Sequence, residues 1–381
     1  MDGDGGRGLL DDGCFLRLVQ KWVTAYPITA FSLFLVLGPK FFGAVKTMSN
    51  KRIHSTDHDH SHQPFMRYPF AILIVILPCM APAVWAQFGN DDVGDGQVLG
   101  EEEIHHYQAG LVVRALGGPC RGLFATLPVP GDFPEQQVHV IDEIVTKNVR
   151  NVRSRRLPEG VEQLLVSIPM LNNGDMAKVL TTYEITRRAI LPPEDTSIYR
   201  VPKQPATAIA RHLVPSPYIE SRHESFRSLG RELVRGKKTA WEGLEAVYDG
   251  VRERVEKRGG KLNGAVQALK DGNGNYEDIT AVFIALCRSL KVPARTVWVH
   301  GYCYAEFYLE ENSGQGRWFP CQLVGERAFG ETQDTRLILH KGDNFRVPEQ
   351  QGRQRFVAES LNGKGGGGQP QVNFVRQVLP R

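Results

Sequence analysis

From about residue 107 the chain alternates short apolar runs with polar ones. Leu111-Val112-Val113, Val138–Val145, Leu164–Ile168 and Val179–Ile185 are rich in β-branched residues. Turns such as Val129-Pro130-Gly131-Asp132 and Asn172-Asn173-Gly174-Asp175 separate them. Short strands at this spacing predict a small antiparallel β-sandwich over residues 107–205. Leu191-Pro192-Pro193 and Val201–Pro205 close it. The apolar period then becomes helical. Ser221 with Glu224 has the form of a capping box, and Phe226, Leu229 and Leu233 follow on one face before Gly236. Thr239 with Glu242 begins a second helix, with a stripe of Leu244, Val247, Tyr248, Val251 and Val255 that ends at Gly259-Gly260. A third helix is predicted over Glu277–Leu290, with Ile279, Val282, Phe283, Leu286 and Leu290 on a broad apolar face. Gly272 and Gly274 permit the turn into it, and Pro293 prevents its continuation. Thr296–Val299, Tyr302–Leu309 and Arg317–Gln322 read as strands. Residues 335–381 continue with TRLILHKGDNFRVP, a Gly-rich loop at 363–368 and a final strand at Val372–Val375. The loop has no Ser or Thr after its lysine, so it reads as a flexible connector and not a phosphate cradle.

The residues before 107 change the picture. Trp22–Gly38 is apolar but contains Pro27 and is at the lower limit for a membrane span. His54, His58, His60 and His62 form a tract that can bind metal. With no scaffold to preorganise the ligands, it reads as a solvated linker and no metal site is expected. Residues 66–86 have a positive start at Arg67, the apolar run Phe70–Leu77, a break at Pro78 and small residues at Val84 and Ala86. That is the form of a secretory signal peptide. We expect Met66 to be the true start, with residues 1–65 an over-extended or disordered N-terminus. The alternative is an uncleaved membrane anchor. Either way the remainder is expected to be secreted or periplasmic. Residues 87–106 read as an acidic linker. The 381 residues are 41% hydrophobic and carry a net charge of only +4, enough to bury a core and too little for a nucleic-acid surface. Six cysteines do not make a disulfide scaffold.

Several stretches of this chain resemble the transglutaminase-like superfamily, which has a papain-like fold. They are Gly274-Asn275-Tyr276-Glu277-Asp278, the run Arg288-Ser289-Leu290-Lys291-Val292-Pro293-Ala294-Arg295, Ala305-Glu306-Phe307-Tyr308-Leu309 and Trp318-Phe319-Pro320. The resemblance covers roughly 206–325 and implies an α+β domain over 206–381, with a C-terminal extension, after the β-sandwich. It implies a nucleophilic Cys at the start of the third helix, where the helix N-terminus would lower a thiol's pKa. A His base and an orienting Asp would lie on the strands. Carried over by position, the Cys is Tyr276, the His is Tyr302 and the Asp is Gln322. The family's usual strand Trp is Tyr304.

All three reacting positions thus hold neutral side chains, and no catalytic residue is expected. A phenol near its ordinary pKa of about 10 is protonated at neutral pH. A hydrogen-bonded Tyr276–Tyr302–Gln322 set is expected where the triad would be. Cys287 lies about 16 Å along the helix from Tyr276 and reads as a buried small hydrophobe. His300 shares a face with Tyr302 if the strand is regular, and Ser289 lacks an elbow motif. If Tyr302 and Gln322 are cross-strand neighbours, Cys303 faces Cys321 on the side away from the site, and a disulfide between them is possible. The expected function is binding of a polypeptide or cell-envelope ligand by Tyr276, Tyr302, Tyr304 and Gln322, with no cofactor and no nucleic acid. Altered chemistry through Tyr276 or His300 is the second reading, and a structural envelope protein with a closed cleft is the third.

Overall fold

A computed structural model of the chain describes residues 97–380, which lie within one compact unit. The expectations for the N-terminal extension, the His tract and the signal segment fall outside the described residues. Six strands come first: β1 (Val98–Leu116), β2 (Cys120–Val129), β3 (Gln136–Val145), β4 (Asn151–Arg156), β5 (Glu162–Leu171) and β6 (Met176–Leu191). Next come α1 (Thr207–Ala210), α2 (Glu224–Leu233), α3 (Ala240–Arg254), β7 (Glu256–Lys257), α4 (Ala265–Asp271), β8 (Asn273–Gly274) and α5 (Tyr276–Ser289). The chain continues through β9 (Ala294–Val299), β10 (Tyr302–Glu310), β11 (Gly316–Gln322), β12 (Ala328–Phe329), β13 (Ile338–Lys341), β14 (Ser360–Asn362) and β15 (Gln369–Leu379).

The α+β architecture is as expected. Two sheets ordered β15-β1-β6-β3 and β14-β2-β5-β4 form the sandwich. Period-two burial builds its core. Tyr107, Ala109, Leu111, Val113 and Ala115 of β1 are all fully buried, and they meet Leu123, Ala125 and Leu127 of β2. The sandwich differs from the sequence reading at both ends. Residues 98–106 are not linker but the first half of β1, paired with β6 and tied by a Glu102–Arg188 ion pair. Their acidic, two-sided polar pattern hid the strand. At the other end, β14 pairs with β2 and β15 pairs with β1 from His106–Leu379 to Leu116–Gln369. The C-terminal segment therefore completes the sandwich and does not extend the second domain. The Gly-rich loop is also no free connector. The Arg121 amide donates to the Gly365 carbonyl at 2.8 Å, and a Cβ on Gly368 would lie 2.0 Å from the Gly118 carbonyl oxygen. Glycine is needed because two backbones meet there.

The second domain packs α2–α5 on one face of an antiparallel sheet ordered β12-β11-β10-β9-β13. Phe283 and Leu286 of α5 share a core with Phe307, Phe319 and Phe329 of the sheet, and with Trp241, Val247 and Tyr248 of α3. Thr239 caps α3 as predicted, accepting from the Glu242 amide at 3.1 Å. The cap of α2 is His223, accepting from the Ser225 amide, in place of the expected Ser221. No helix among the described residues is long and apolar enough to cross a membrane.

The two domains meet through buried charge. Lys341 Nζ lies 2.7 Å from both Glu306 and Glu135, and all three are essentially fully buried. Burial alone would raise the Glu135 carboxyl, but Lys341 and Arg187 bring it down to about 2.

Candidate functional site: the start of helix α5

The start of α5 is held by its own sequence. Asn275 Oδ1 accepts from the Glu277 and Asp278 amides at 2.9 and 3.0 Å. The Asp278 carboxylate returns the bond, accepting from the Asn275 amide at 3.1 Å. Its other oxygen accepts from the Asn263 and Gly264 amides at 2.9 and 2.8 Å, so one buried side chain also fixes the start of α4. Gly274 is required by this closeness, since a Cβ there would lie 2.6 Å from the Asp278 Cβ. Tyr276 is thereby fixed as the first residue of the helix, half-buried, facing the start of β10.

Tyr276, Tyr302 and Gln322 come together here. The Tyr276 and Tyr302 ring centroids are 5.2 Å apart at 44°. The Tyr302 hydroxyl donates to the Val324 carbonyl at 3.3 Å, and Gln322 Nε2 donates to the same oxygen at 3.0 Å. Among the described residues no hydrogen bond joins Tyr276 to Tyr302 or Gln322. The expected three-member hydrogen-bond set is therefore replaced by a ring contact and a shared carbonyl. Register gives the reason. Cys321 pairs with Ala305, so it is Val324, not Gln322, that comes level with Tyr302.

The same register removes the expected disulfide. Cys303 pairs with Trp298 on β9 and not with Cys321, and both thiols are free. Cys303 also does not lie away from the site. Fully buried, it lines a small gap of about 20 Å³ with Glu277, Ala281, Trp298 and Arg355. Tyr304 does not line the cleft either. It is 1% exposed, and its hydroxyl accepts from Arg187 Nη2 at 3.4 Å, between the two domains. His300 sits with Gly301 in a two-residue turn between β9 and β10, not on a regular strand. Its ring packs edge-on to Tyr107 of the sandwich at 5.8 Å, and burial, with Arg376 and Arg336, pushes its pKa down. It has no place beside Tyr276.

Burial, with Glu277 and Cys303 nearby, pushes the Tyr276 phenol up. Burial raises the Tyr302 phenol as well, against a smaller opposing effect of Arg336. Burial also raises the thiols of Cys287 and Cys303. Each shift disfavours the ionised nucleophile.

Residues without a sequence signature complete the surroundings. Arg336 lies over the Tyr302 ring at 4.8 Å and is held by Asp334. Arg355 pairs with Glu277 and lies over Trp298, filling that flank. Beyond Gln322 an open groove of about 320 Å³ is lined by Glu326, Arg327, Glu331, Asp334 and Arg336. Only long-range folding brings 334–355 to residue 276, and no local pattern announces it. Among the described residues no cluster of His, Cys, Asp or Glu is placed to hold a metal ion.

Residues 227–323 match the family model described as the transglutaminase-like superfamily. The fold is similar to that of a candidate cysteine protease from Cytophaga hutchinsonii, at 16% identity and a TM-score of 0.51, covering 74% of this chain and 93% of that one. A candidate protease from Parabacteroides distasonis aligns over 56% of this chain and 43% of its own, at 10% identity and a TM-score of 0.26. No curated protein matches the chain. Helix α5, with Tyr276 at its start, and strands β9 to β11 all fall within the matched segment, and residues 227–323 are a domain of the transglutaminase-like superfamily.

Proposed function

We propose that this is an exported protein whose transglutaminase-like domain does no thiol chemistry and uses the cleft at the start of α5 to hold a polypeptide or other cell-envelope ligand. One observation carries the reading. The three positions where the family's resemblance puts Cys, His and Asp are filled by Tyr276, Tyr302 and Gln322, in contact and neutral. Both phenols are pushed up by burial, away from a nucleophile. Binding is supported by the half-buried ring of Tyr276 and by the open groove beyond Gln322. Tyrosine presents a flat apolar face and a polar tip, which suits peptide or sugar surfaces. Export rests on the form of residues 66–86.

The test compares the purified protein with its Tyr276→Cys, Tyr302→His, Gln322→Asp triple variant. Acyl transfer from glutamine peptides, peptide hydrolysis and labelling by a thiol-reactive probe are measured on both. A silent parent and a newly labelled thiol in the variant are expected. Activity in the parent that disappears in Tyr276→Phe would make the tyrosine site an enzyme and end this reading. Binding has its own readout. Saturating amounts of a mixed tryptic peptide pool are expected to slow hydrogen exchange across residues 322–336. Unchanged exchange, with the same result for soluble cell-wall glycan fragments, would remove the ligand from the proposal.

A further inference from the structure

Thirteen large apolar side chains are exposed among the described residues, and four of them lie on the single strand β3: Val140 (56%), Ile141 (51%), Ile144 (41%) and Val145 (50%). The strand is an end strand of its sheet, and β4 is the matching end of the other sheet. Between them the sandwich gapes. An open cavity of about 370 Å³ has Val140, Glu143 and Val145 on one lip, Val152 and Arg153 on the other, and Leu164 in its floor. Val140 and Val145 face this opening, while Ile141 and Ile144 lie outside its lining, and exposed apolar side chains at such an opening mark an interaction site.

The two lips carry opposite charge: Glu143 on β3 and Arg153 on β4 both line the opening. Neither makes an ion pair among the described residues. Neighbouring charges are already committed, Arg155 to Glu349 and Arg156 to Glu162. An edge strand can also recruit a further strand, but here the ladder slips between Val140 and Asp142. Such a bulge breaks the even row of free amides and carbonyls that strand addition needs. The surface therefore favours a partner that packs face-on, with an apolar centre and a charge pattern the reverse of its own.

We propose that this partner is a second copy of the same chain. A two-fold axis running along the strands sets each acidic β3 lip against the basic β4 lip of the other copy. Glu143 then faces the partner's Arg153, twice by symmetry, and the two apolar clefts close on each other. Self-complementarity of this kind is what an isologous dimer requires.

The test is sedimentation velocity of the full chain across a concentration series. A monomer–dimer equilibrium is expected, weakened by added salt because the charged rim is screened. Glu143→Arg alone and Arg153→Glu alone each juxtapose like charges and are expected to weaken association by at least about tenfold. The double swap restores opposite charges and is expected to recover the dimer to within about threefold. Val140→Asp is expected to dissociate it while leaving the melting temperature unchanged at concentrations where parent and variant are both monomeric, since the side chain is exposed in the monomer. A monomer at every concentration would overturn the proposal. So would a dimer indifferent to both single reversals, or a double swap that fails to restore it. A monomer that instead captures an apolar β-strand peptide at this cleft would also overturn it.

Discussion

Arg288 has a side chain only 1% exposed, and four groups surround its guanidinium. Nη2 donates to both oxygens of Asp343, at 2.8 and 2.7 Å, and to the Ala294 carbonyl at 2.7 Å. Nη1 donates to the Val214 carbonyl and to Ser216 Oγ. Arg295, at the other end of the same motif, pairs with fully buried Glu306 and lies 3.9 Å over the Trp318 ring. The two arginines of the most specific motif in the chain are thus structural, and neither touches the candidate site. Asp343→Ala leaves a buried cation unpaired and is expected to destabilise the protein by about 3–5 kcal/mol in urea unfolding. Arg288→Lys is expected to be similarly damaging, because an ammonium cannot reproduce the fork. A loss within about 0.5 kcal/mol for either would mean that water reaches the site. Acid acts on other buried residues. Burial pushes His340 down to about 3. Its unfolded form takes up a proton below about pH 6.5 while the folded form does not, so stability is full above that pH and falls from there towards about pH 3. Glu135, lowered to about 2, loses its contribution below its ordinary 4.5. Urea midpoints measured from pH 8 to pH 3 are expected to fall in two stages. His340→Phe should shrink the first stage, to which buried His212 also contributes, and leave the second; an unchanged profile would show that His340 is protonated or exposed.

At the scale of elements, α5 was the most legible part of the chain and β1 the least. Helix periodicity and two flanking glycines placed α5 to within a residue, because both signals are local. Its reciprocal Asn275–Asp278 cap is also local, yet the sequence reading assigned a capping box to Ser221 and not here. Asp278→Ala removes the acceptor for three backbone amides, two of them outside α5. The expected loss is about 2–4 kcal/mol, with faster hydrogen exchange at both 263–266 and 275–279. Exchange confined to α5 would show that the link to α4 is unimportant. The hairpin of β9 and β10 was legible in its strands but not in its register. The two-residue difference from the expected pairing separates Cys303 from Cys321 and brings Tyr302 to Val324. Alternation along the strand held, but neither the predicted partners nor the predicted placement of Cys303 and Tyr304 relative to the site did.

At the scale of the molecule, the chain returns to where it began. β15 pairs with β1 across more than 250 residues of sequence and covers an edge that would otherwise be open. Deletion of residues 359–381 is expected to lower stability by more than about 4 kcal/mol and to split unfolding into two transitions, because only the sandwich loses strands. A single transition at the original midpoint would mean that β14 and β15 are ornamental. The return path also delivers Lys341 to Glu135 and Glu306, and Arg355 to Glu277. The second domain thus takes a charge at its interface and a wall at its cleft from residues after the family match ends.

The sequence alone determined the α+β class, helices α2, α3 and α5, and the family likeness of the stretch that holds α5 and β9 to β11. These depend on local periodicity, on breakers and on a motif whose spacing is carried by the backbone. Only the tertiary structure decided that Tyr304 is interior, that His300 faces the sandwich, that Cys303 stays a free thiol beside the site, and that Arg336 and Arg355 frame it. Each of those depends on cross-strand register or on contacts between residues far apart in the chain. Neither leaves a periodic trace in a single sequence, because the energy that fixes them is shared among side chains that meet only after folding.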